Sequence, residues 1–145
     1  MAVIAVFALI LLLQADPVLE IVRQADQALI ASYPLPEGET FSITFIHSVN
    51  QSPVEDVFKN LAGTMVADRT IYYEFGAGVQ SELNEGDTLI TGDAGELIIT
   101  HAPTEYEVLN YIVGTVSDHV LKIDDQTISL RDLCGRNTAI SFRLK

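Results

Sequence analysis

Positive charge is scarce in this chain, because eight Lys and Arg residues stand against twenty Asp and Glu and leave a net charge of −12. None of the eight basic residues lies between Thr70 and Leu121. Such a surface repels phosphate groups, so we expect no nucleic acid partner and little attraction to anionic headgroups. The acids are scattered, which favours a solvated, self-repelling surface. A face that binds a cation or a cationic partner is the alternative.

Cysteine and recognised catalytic motifs are also nearly absent. Cys134 is the only cysteine, so no internal disulfide can form. There is no G-x-S-x-G motif, and His47 and Ser48, as neighbours on a strand, would point to opposite faces. The histidines lack zinc spacing, and the acidic loops, whose oxygens would suit calcium, lack EF-hand spacing. We therefore expect a protein that is not an enzyme, with no catalytic residues, no cofactor and no metal site.

A short apolar run opens the chain. Residues 2–13 are all apolar, and as a helix they would span about 18 Å, whereas a bilayer core needs about 20 residues. This length predicts a signal peptide or short membrane anchor in residues 1–15, with a buried core segment as the alternative. Residues 16–145 are then expected to form an extracytoplasmic domain, periplasmic or at the cell surface. The domain would be exported or held on the cytoplasmic membrane by its N-terminus.

After residue 16 the pattern is of short strands separated by turns. Runs of β-forming residues recur at intervals of roughly 8–12 residues, and no window shows a sustained helical period. The sequence predicts an all-β fold, a single-domain antiparallel sandwich or small barrel, preceded by a short N-terminal apolar helix. In the last strand, Ile140, Phe142 and Leu144 alternate and are predicted to face inward.

Residues 41–58 predict a β-hairpin with a histidine near its turn. His47 continues the face of the first strand that carries Phe41 and its apolar neighbours, and Glu55 and Asp56 follow the turn. A short turn would bring His47 within cross-strand range of Glu55 or Asp56. We interpret this as a buried pair that locks the hairpin, so that His47→Ala would destabilise the domain. A ligand-binding or pH-sensing site is the alternative.

Three segments of the chain resemble the marks of a known family, domain of unknown function 1850. They are His47-Ser48-Val49, Ser52-Pro53-Val54-Glu55-Asp56-x-Phe58 and Tyr73-x-Phe75-Gly76-Ala77-Gly78. The resemblance extends over about residues 18–145. The positions that recur in the family fall here on His47, Ser48, Pro53, Glu55, Phe75, Gly76 and Gly78.

The resemblance implies a location and a partner, but no established activity. Members are small exported or membrane-anchored proteins, typically encoded beside fused membrane subunits of TRAP-type transporters of the TAXI class. We therefore expect a noncatalytic extracytoplasmic accessory protein that associates with the membrane subunit of such a transporter. A module that binds a small solute or metal ion on the outer face of the membrane is the alternative, with a pocket containing His47, Glu55 and Tyr73. The expected ligand or partner surface comprises His47, Ser48, Ser52, Glu55, Tyr73, Phe75, Gly76 and Gly78.

Overall fold

The computed structural model describes residues 16–74 and 82–145, and within them the chain is almost entirely β-structure. One antiparallel sheet has four strands in the order β2-β1-β11-β8. These strands are β1 (Val18–Arg23), β2 (Leu29–Pro34), β8 (Leu109–Ile112) and β11 (Ala139–Leu144). The pairing of β1 with β11 brings the first and last described strands together.

The second antiparallel sheet has seven strands in the order β10-β9-β3-β4-β5-β7-β6. These strands are β3 (Thr40–Ile46), β4 (Pro53–Leu61), β5 (Thr64–Tyr72), β6 (Thr88–Thr91), β7 (Leu97–Tyr106), β9 (Val120–Ile123) and β10 (Gln126–Ser129). Consecutive strands form the β3-β4 and β4-β5 hairpins, and β9 returns from far along the chain to pair with β3. The predicted all-β antiparallel fold is confirmed.

The two sheets share one apolar core, an arrangement consistent with a β-sandwich. Phe41 of the larger sheet stacks on Phe142 of the smaller sheet, with ring centroids 6.0 Å apart, and on Phe58, at 5.3 Å. Ile140 and Phe142 are fully buried and Leu144 packs against the core, so the predicted inward face of the last strand is confirmed. Burial of such large side chains supplies about 1.5–3 kcal/mol each relative to exposure.

One helix departs from the sequence prediction, which anticipated none after residue 16. Helix α1 (Leu130–Cys134) is a single short turn between β10 and β11. The Ser129 hydroxyl caps it by accepting a hydrogen bond from the backbone N–H of Asp132, and Gly135 ends it with a φ of +88°. Ser129 and Gly135 therefore define a helix of five residues, which is too short to show a helical period in the sequence.

The strand boundaries differ from the prediction mainly at the hairpin. Strand β3 ends at Ile46, so His47 belongs to the turn and not to the strand. The predicted N-terminal helix and the segment assigned to a signal peptide or anchor, residues 1–15, lie outside the described residues.

Candidate functional sites on the two faces of strand β4

Strand β4 directs two adjacent carboxylates to opposite sides of the larger sheet. Glu55 pairs in register with Thr44, and Asp56 pairs with Ile43, which is fully buried in the core. Because successive side chains of a strand alternate, Asp56 lies on the face toward the smaller sheet and Glu55 on the opposite face. We call these the inner face and the outer face.

Glu55 lies at the centre of a hydrogen-bonded cluster on the outer face. The Ser42 hydroxyl donates to its Oε1 at 2.6 Å, and the Tyr73 hydroxyl donates to its Oε2 at 2.6 Å. The Lys122 ammonium lies 3.4 Å from both carboxylate oxygens. The residue is only 8% exposed. Three side chains from three other segments therefore satisfy this buried carboxylate.

The cluster keeps Glu55 ionised. Burial acts to raise its pKa, but the hydrogen bonds from Ser42 and Tyr73 and the charge of Lys122 outweigh burial and hold the pKa below its ordinary value. The hydrogen bond between Glu55 and Tyr73 has the opposite effect on the tyrosine. That bond, and secondly burial, raise the pKa of Tyr73 to about 12. Tyr73 is thus a fixed hydrogen-bond donor at neutral pH.

The Glu55 cluster forms one end of an open groove of about 200 Å³. Two cationic side chains border the groove, Lys122 from β9 and Arg69 from β5, with Val57 and Ile71 on its floor. Lys122, Ser42, Val57 and Arg69 are neighbours in register across four adjacent strands. Arg69 also contacts the carboxylate of Asp68, and the Arg69 and Lys122 side chains remain 41% and 47% exposed. Two of only eight basic residues in the chain therefore meet over one groove.

Asp56 lines a larger cavity on the inner face, of about 460 Å³. Residues of both sheets form its walls, including Thr70 and His101 of the larger sheet and Asn110 and Tyr111 of β8. The Thr70 hydroxyl donates to Asp56 Oδ1 at 2.8 Å. Burial raises the pKa of Asp56, although the Thr70 hydrogen bond and the potential of His101 oppose this. The two adjacent carboxylates thus have pKa values displaced in opposite directions.

A chain of polar contacts continues from Asp56 through His101. Thr70 Oγ1 lies 2.9 Å from His101 Nε2, and His101 Nδ1 lies 3.4 Å from Asp87 Oδ2. The other Asp87 oxygen accepts a hydrogen bond from the Ala102 backbone N–H at 2.9 Å, and that bond is the largest cause that lowers the pKa of Asp87. When Thr70 donates to Asp56, it can accept a hydrogen bond from His101 in turn. The imidazole is therefore fixed between two polar neighbours.

Aromatic rings make up much of the remaining wall of this cavity. Tyr106 meets Phe58 edge to face at 6.0 Å, and Tyr111 meets the buried Phe142 edge to face at 5.8 Å. Burial, and secondly the charge of Asp56, raise the pKa of Tyr111 above its ordinary value. Because both tyrosines are anchored on core phenylalanines, the rings hold fixed positions around the acid.

The predicted pairing of His47 with Glu55 or Asp56 is not found. The His47 backbone N–H donates to the Ser52 carbonyl at 2.9 Å, and His47 Nδ1 accepts from the Val49 N–H at 3.2 Å. In register, Thr44 and Ile43 lie opposite Glu55 and Asp56. His47 follows Thr44 and Ile43 by three and four residues, past the end of β3, which corresponds to about 10–13 Å at 3.3 Å per residue. The turn was longer than the prediction assumed, which left the imidazole beyond cross-strand range.

The structure brings together only part of the predicted ligand or partner surface. Glu55 and Tyr73 meet directly, while Ser48 is exposed in the turn and Ser52 is buried beside it. Phe75, Gly76 and Gly78 lie outside the described residues. The prediction missed the other members of the two clusters, which are Ser42, Arg69 and Lys122 on the outer face and Thr70, Asp87, His101 and Tyr111 on the inner face. Only strand alternation around Glu55 and Asp56 could have indicated that there are two sites.

Residues 16–74 and 82–145 contain neither a cluster of metal ligands nor a helix suited to cross a membrane. Among these residues, His, Cys, Asp and Glu side chains do not gather in any group of three that could hold a metal ion. No helix in the same ranges has the length and apolar character needed to span a bilayer.

The fold and its sites define a small, almost entirely β protein with an ionised glutamate on one side of a strand and a tyrosine-lined cavity that contains Asp56 on the other. A family model described as "Domain of unknown function (DUF1850)" matches residues 41–130, more than half of the 145 residues. The chain therefore belongs to this family. The matched range includes Glu55, Asp56, His101 and Lys122. Comparisons with curated proteins and with solved structures found no match.

Proposed function

We propose that this protein is a noncatalytic accessory protein on the outer side of the cytoplasmic membrane, where it docks on the membrane subunit of a TRAP-type transporter of the TAXI class. The apolar residues 2–13 support the location, because their length suits an export signal or short anchor. Resemblance to a family whose members are typically encoded beside such subunits supports the partner. The structural observation that carries the proposal is the outer-face groove around Glu55.

The groove offers a prearranged contact surface. Glu55 is held by Ser42, Tyr73 and Lys122, so its geometry is set before any partner arrives. Tyr73 is 44% exposed and thus presents its ring at the surface. Tyrosine and arginine are enriched in the energetically important centres of protein interfaces. The apolar side chains of Val57 and Ile71 add area that a partner loop would remove from water.

The charge of the groove indicates which segment of the membrane subunit would dock. Short loops on the outer side of membrane proteins carry few Lys and Arg residues. A loop that leans acidic would be repelled by most of this surface, whose net charge is −12. Arg69 and Lys122 already hold Asp68 and Glu55, and Asp124 also lines the groove. Both basic side chains are still 41% and 47% exposed, so each keeps further N–H donors for a loop carboxylate. We therefore infer that an extracytoplasmic loop bearing a carboxylate occupies the groove.

Co-purification tests this proposal. The full-length protein is expressed with the transporter membrane subunit, extracted in mild detergent and captured by a tag on the subunit. The double variant Arg69→Gln/Lys122→Gln is compared with Arg136→Gln/Lys145→Gln, which removes the same charge from exposed positions outside the groove. We expect the groove variant to lose capture and the control to retain it. Rising salt should weaken wild-type capture, because the pairs lie at the surface.

Two results would contradict the proposal. One is a wild-type protein that never associates with the membrane subunit. The other is equal capture of the groove variant and the control, which would show that the membrane subunit contacts a different surface. A melting curve of each double variant confirms that lost capture is not lost folding.

An alternative is that the protein is a binding module for a small solute on the outer face of the membrane. The observation that favours this alternative is the inner-face cavity of about 460 Å³, which falls within the usual size of ligand pockets, about 300–1,000 Å³. The pocket predicted around His47, Glu55 and Tyr73 is not the one found, since Asp56 and His101 line the cavity instead.

A further inference from the structure

We propose that the cavity between the two sheets binds a small organic cation, an ammonium compound, with Asp56 as its counter-charge and the rings of Tyr106 and Tyr111 as its walls. This site lies on the opposite side of β4 from the groove assigned to docking. Its carboxylate, Asp56, is not part of the groove, although Val57 and Arg69 line both.

The first argument is the unused capacity of Asp56. The hydrogen bonds among the described residues engage only its Oδ1, through Thr70. The carboxylate is half-buried on a wall of the cavity, and its Oδ2 accepts no hydrogen bond from the described residues. Partial burial of a charge that has no ionic partner is costly, and a bound cation would remove that cost.

The second argument is that the basic groups near Asp56 already have other partners. Arg69 also lines the cavity, but its guanidinium contacts the Asp68 carboxylate. His101 lies between Thr70 and Asp87, and Asp87 is a second carboxylate that balances the imidazole. Neither side chain forms a hydrogen bond or ion pair with Asp56 in the described structure. A bound cation would therefore supply the direct ion pair that Asp56 lacks among the described residues.

The third argument is the aromatic wall. An alkylammonium group is stabilised over the face of a tyrosine ring, by about 0.5–2 kcal/mol for each contact. Tyr72, Tyr106 and Tyr111 all line the cavity, together with apolar atoms of Phe58 and Leu109. Several rings around one carboxylate suit a cation that also carries methyl or methylene groups. They suit a hydrated metal ion less well, because such an ion prefers several oxygen ligands.

Charge and size agree with this choice of ligand. The net charge of −12 raises the local concentration of cations around the protein and disfavours anionic solutes. The cavity volume of about 460 Å³ admits a compact ammonium compound with some water. An anionic solute would instead face Asp56 directly.

Titration calorimetry with tetramethylammonium chloride on the full chain tests the proposal, with tert-butanol as a neutral probe of the same shape. We expect saturable binding of tetramethylammonium and none of tert-butanol. Asp56→Asn should weaken binding about tenfold or more, which corresponds to about 1.4 kcal/mol. Asp125→Asn removes the same charge from an exposed turn and should bind as the wild type does.

A second pair of variants tests the wall and also covers the case in which Asp56→Asn fails to fold. Tyr111→Phe keeps the ring and should retain most of the affinity, whereas Tyr111→Leu removes the ring and should lose several-fold. The proposal is overturned by wild-type protein that binds no tetramethylammonium, by equal binding of tert-butanol, or by cavity variants that bind as the wild type does.

Lys122→Gln separates this proposal from the docking function, because Lys122 lines the groove and not the cavity. The variant should leave tetramethylammonium binding unchanged, whatever it does to capture by the membrane subunit. A matching loss of ammonium binding in Lys122→Gln would contradict a separate cavity site.

Discussion

Glu55 and Asp56 are adjacent in the chain and have opposite surroundings. Glu55 receives two hydroxyl hydrogen bonds and a lysine, and its pKa lies below the ordinary value. Asp56 receives one hydroxyl beside a cavity, and its pKa lies above the ordinary value. The difference shows that a carboxylate acts as a structural centre when donors surround it. A carboxylate with fewer donors, such as Asp56, keeps hydrogen-bonding capacity for a ligand.

The largest expected effect is on stability when the Glu55 charge is removed. Glu55→Gln replaces a charged acceptor with an amide that cannot accept from both Ser42 and Tyr73, and leaves Lys122 without its partner. Hydrogen bonds to charged groups contribute about 1.5–3 kcal/mol each, so we expect the free energy of unfolding to fall by about 2–3 kcal/mol. Urea unfolding at neutral pH measures this.

Asp56→Asn is the matched control, because it makes the same chemical change one residue away. The amide oxygen can still accept from Thr70, and the variant removes a charge whose burial is unfavourable. We expect a change within about 1 kcal/mol in either direction. If Asp56→Asn lowered the free energy of unfolding by more than Glu55→Gln does, the contrast between the two sites would be wrong.

A smaller effect is expected from pH, and its sign follows from the lowered pKa of Glu55. The carboxylate is favoured in the folded state, so its contribution to stability is complete above its ordinary pKa of 4.5. The contribution is lost as the pH falls from there through the lower pKa of the folded state. The difference in unfolding free energy between the wild type and Glu55→Gln should therefore shrink as the pH falls below that ordinary value.

Parallel urea titrations at several pH values measure this difference, and Asp56→Asn again serves as the comparison. Because the pKa of Asp56 is raised, its ionisation opposes folding, so the stability of Asp56→Asn relative to wild type should change with pH in the opposite sense. Parallel curves for both variants would contradict the assignment of opposite shifts.

The smallest effect is expected at His47, which the sequence had placed in a buried pair. His47→Ala removes one hydrogen bond, from the Val49 N–H, in a half-buried turn. We expect a loss of about 1 kcal/mol or less, since the backbone bond between His47 and Ser52 remains. A shift in melting temperature as large as that of Glu55→Gln would show that the imidazole has a larger role than its contacts indicate.

Strand alternation predicted the part of this structure that depends on neighbouring residues. It placed Ile140, Phe142 and Leu144 inward. The same alternation explains why Glu55 and Asp56 lie on opposite faces, which the sequence prediction did not state. The prediction from alternation was wrong at His47. The register of the hairpin depends on the residue at which the turn closes, and the alternating apolar residues of β3 do not define that residue. The alternation of apolar residues in the sequence continues beyond Ile46, which is the last residue of β3 that pairs with β4.

The partners of the two carboxylates came from distant segments that no local pattern joins. Lys122 lies 67 residues from Glu55, and the pairing of β9 with β3 sets it beside Ser42. His101 lies 31 residues from Thr70, and the two meet where the pairing of β5 with β7 is irregular, between Ala67 and Arg69. The β-bulge accompanies a local departure from the regular register of the two strands.

The sequence by itself determined most of the strands and the alternation of side chains along them, because backbone sterics act between adjacent residues. Only the tertiary structure decided that β9 lies beside β3, that β11 lies beside β1 and that β8 forms a wall of the cavity beside Asp56. Those choices depend on burying whole sheet faces at once, and the free energy of that burial belongs to the assembled sheets and not to any one segment.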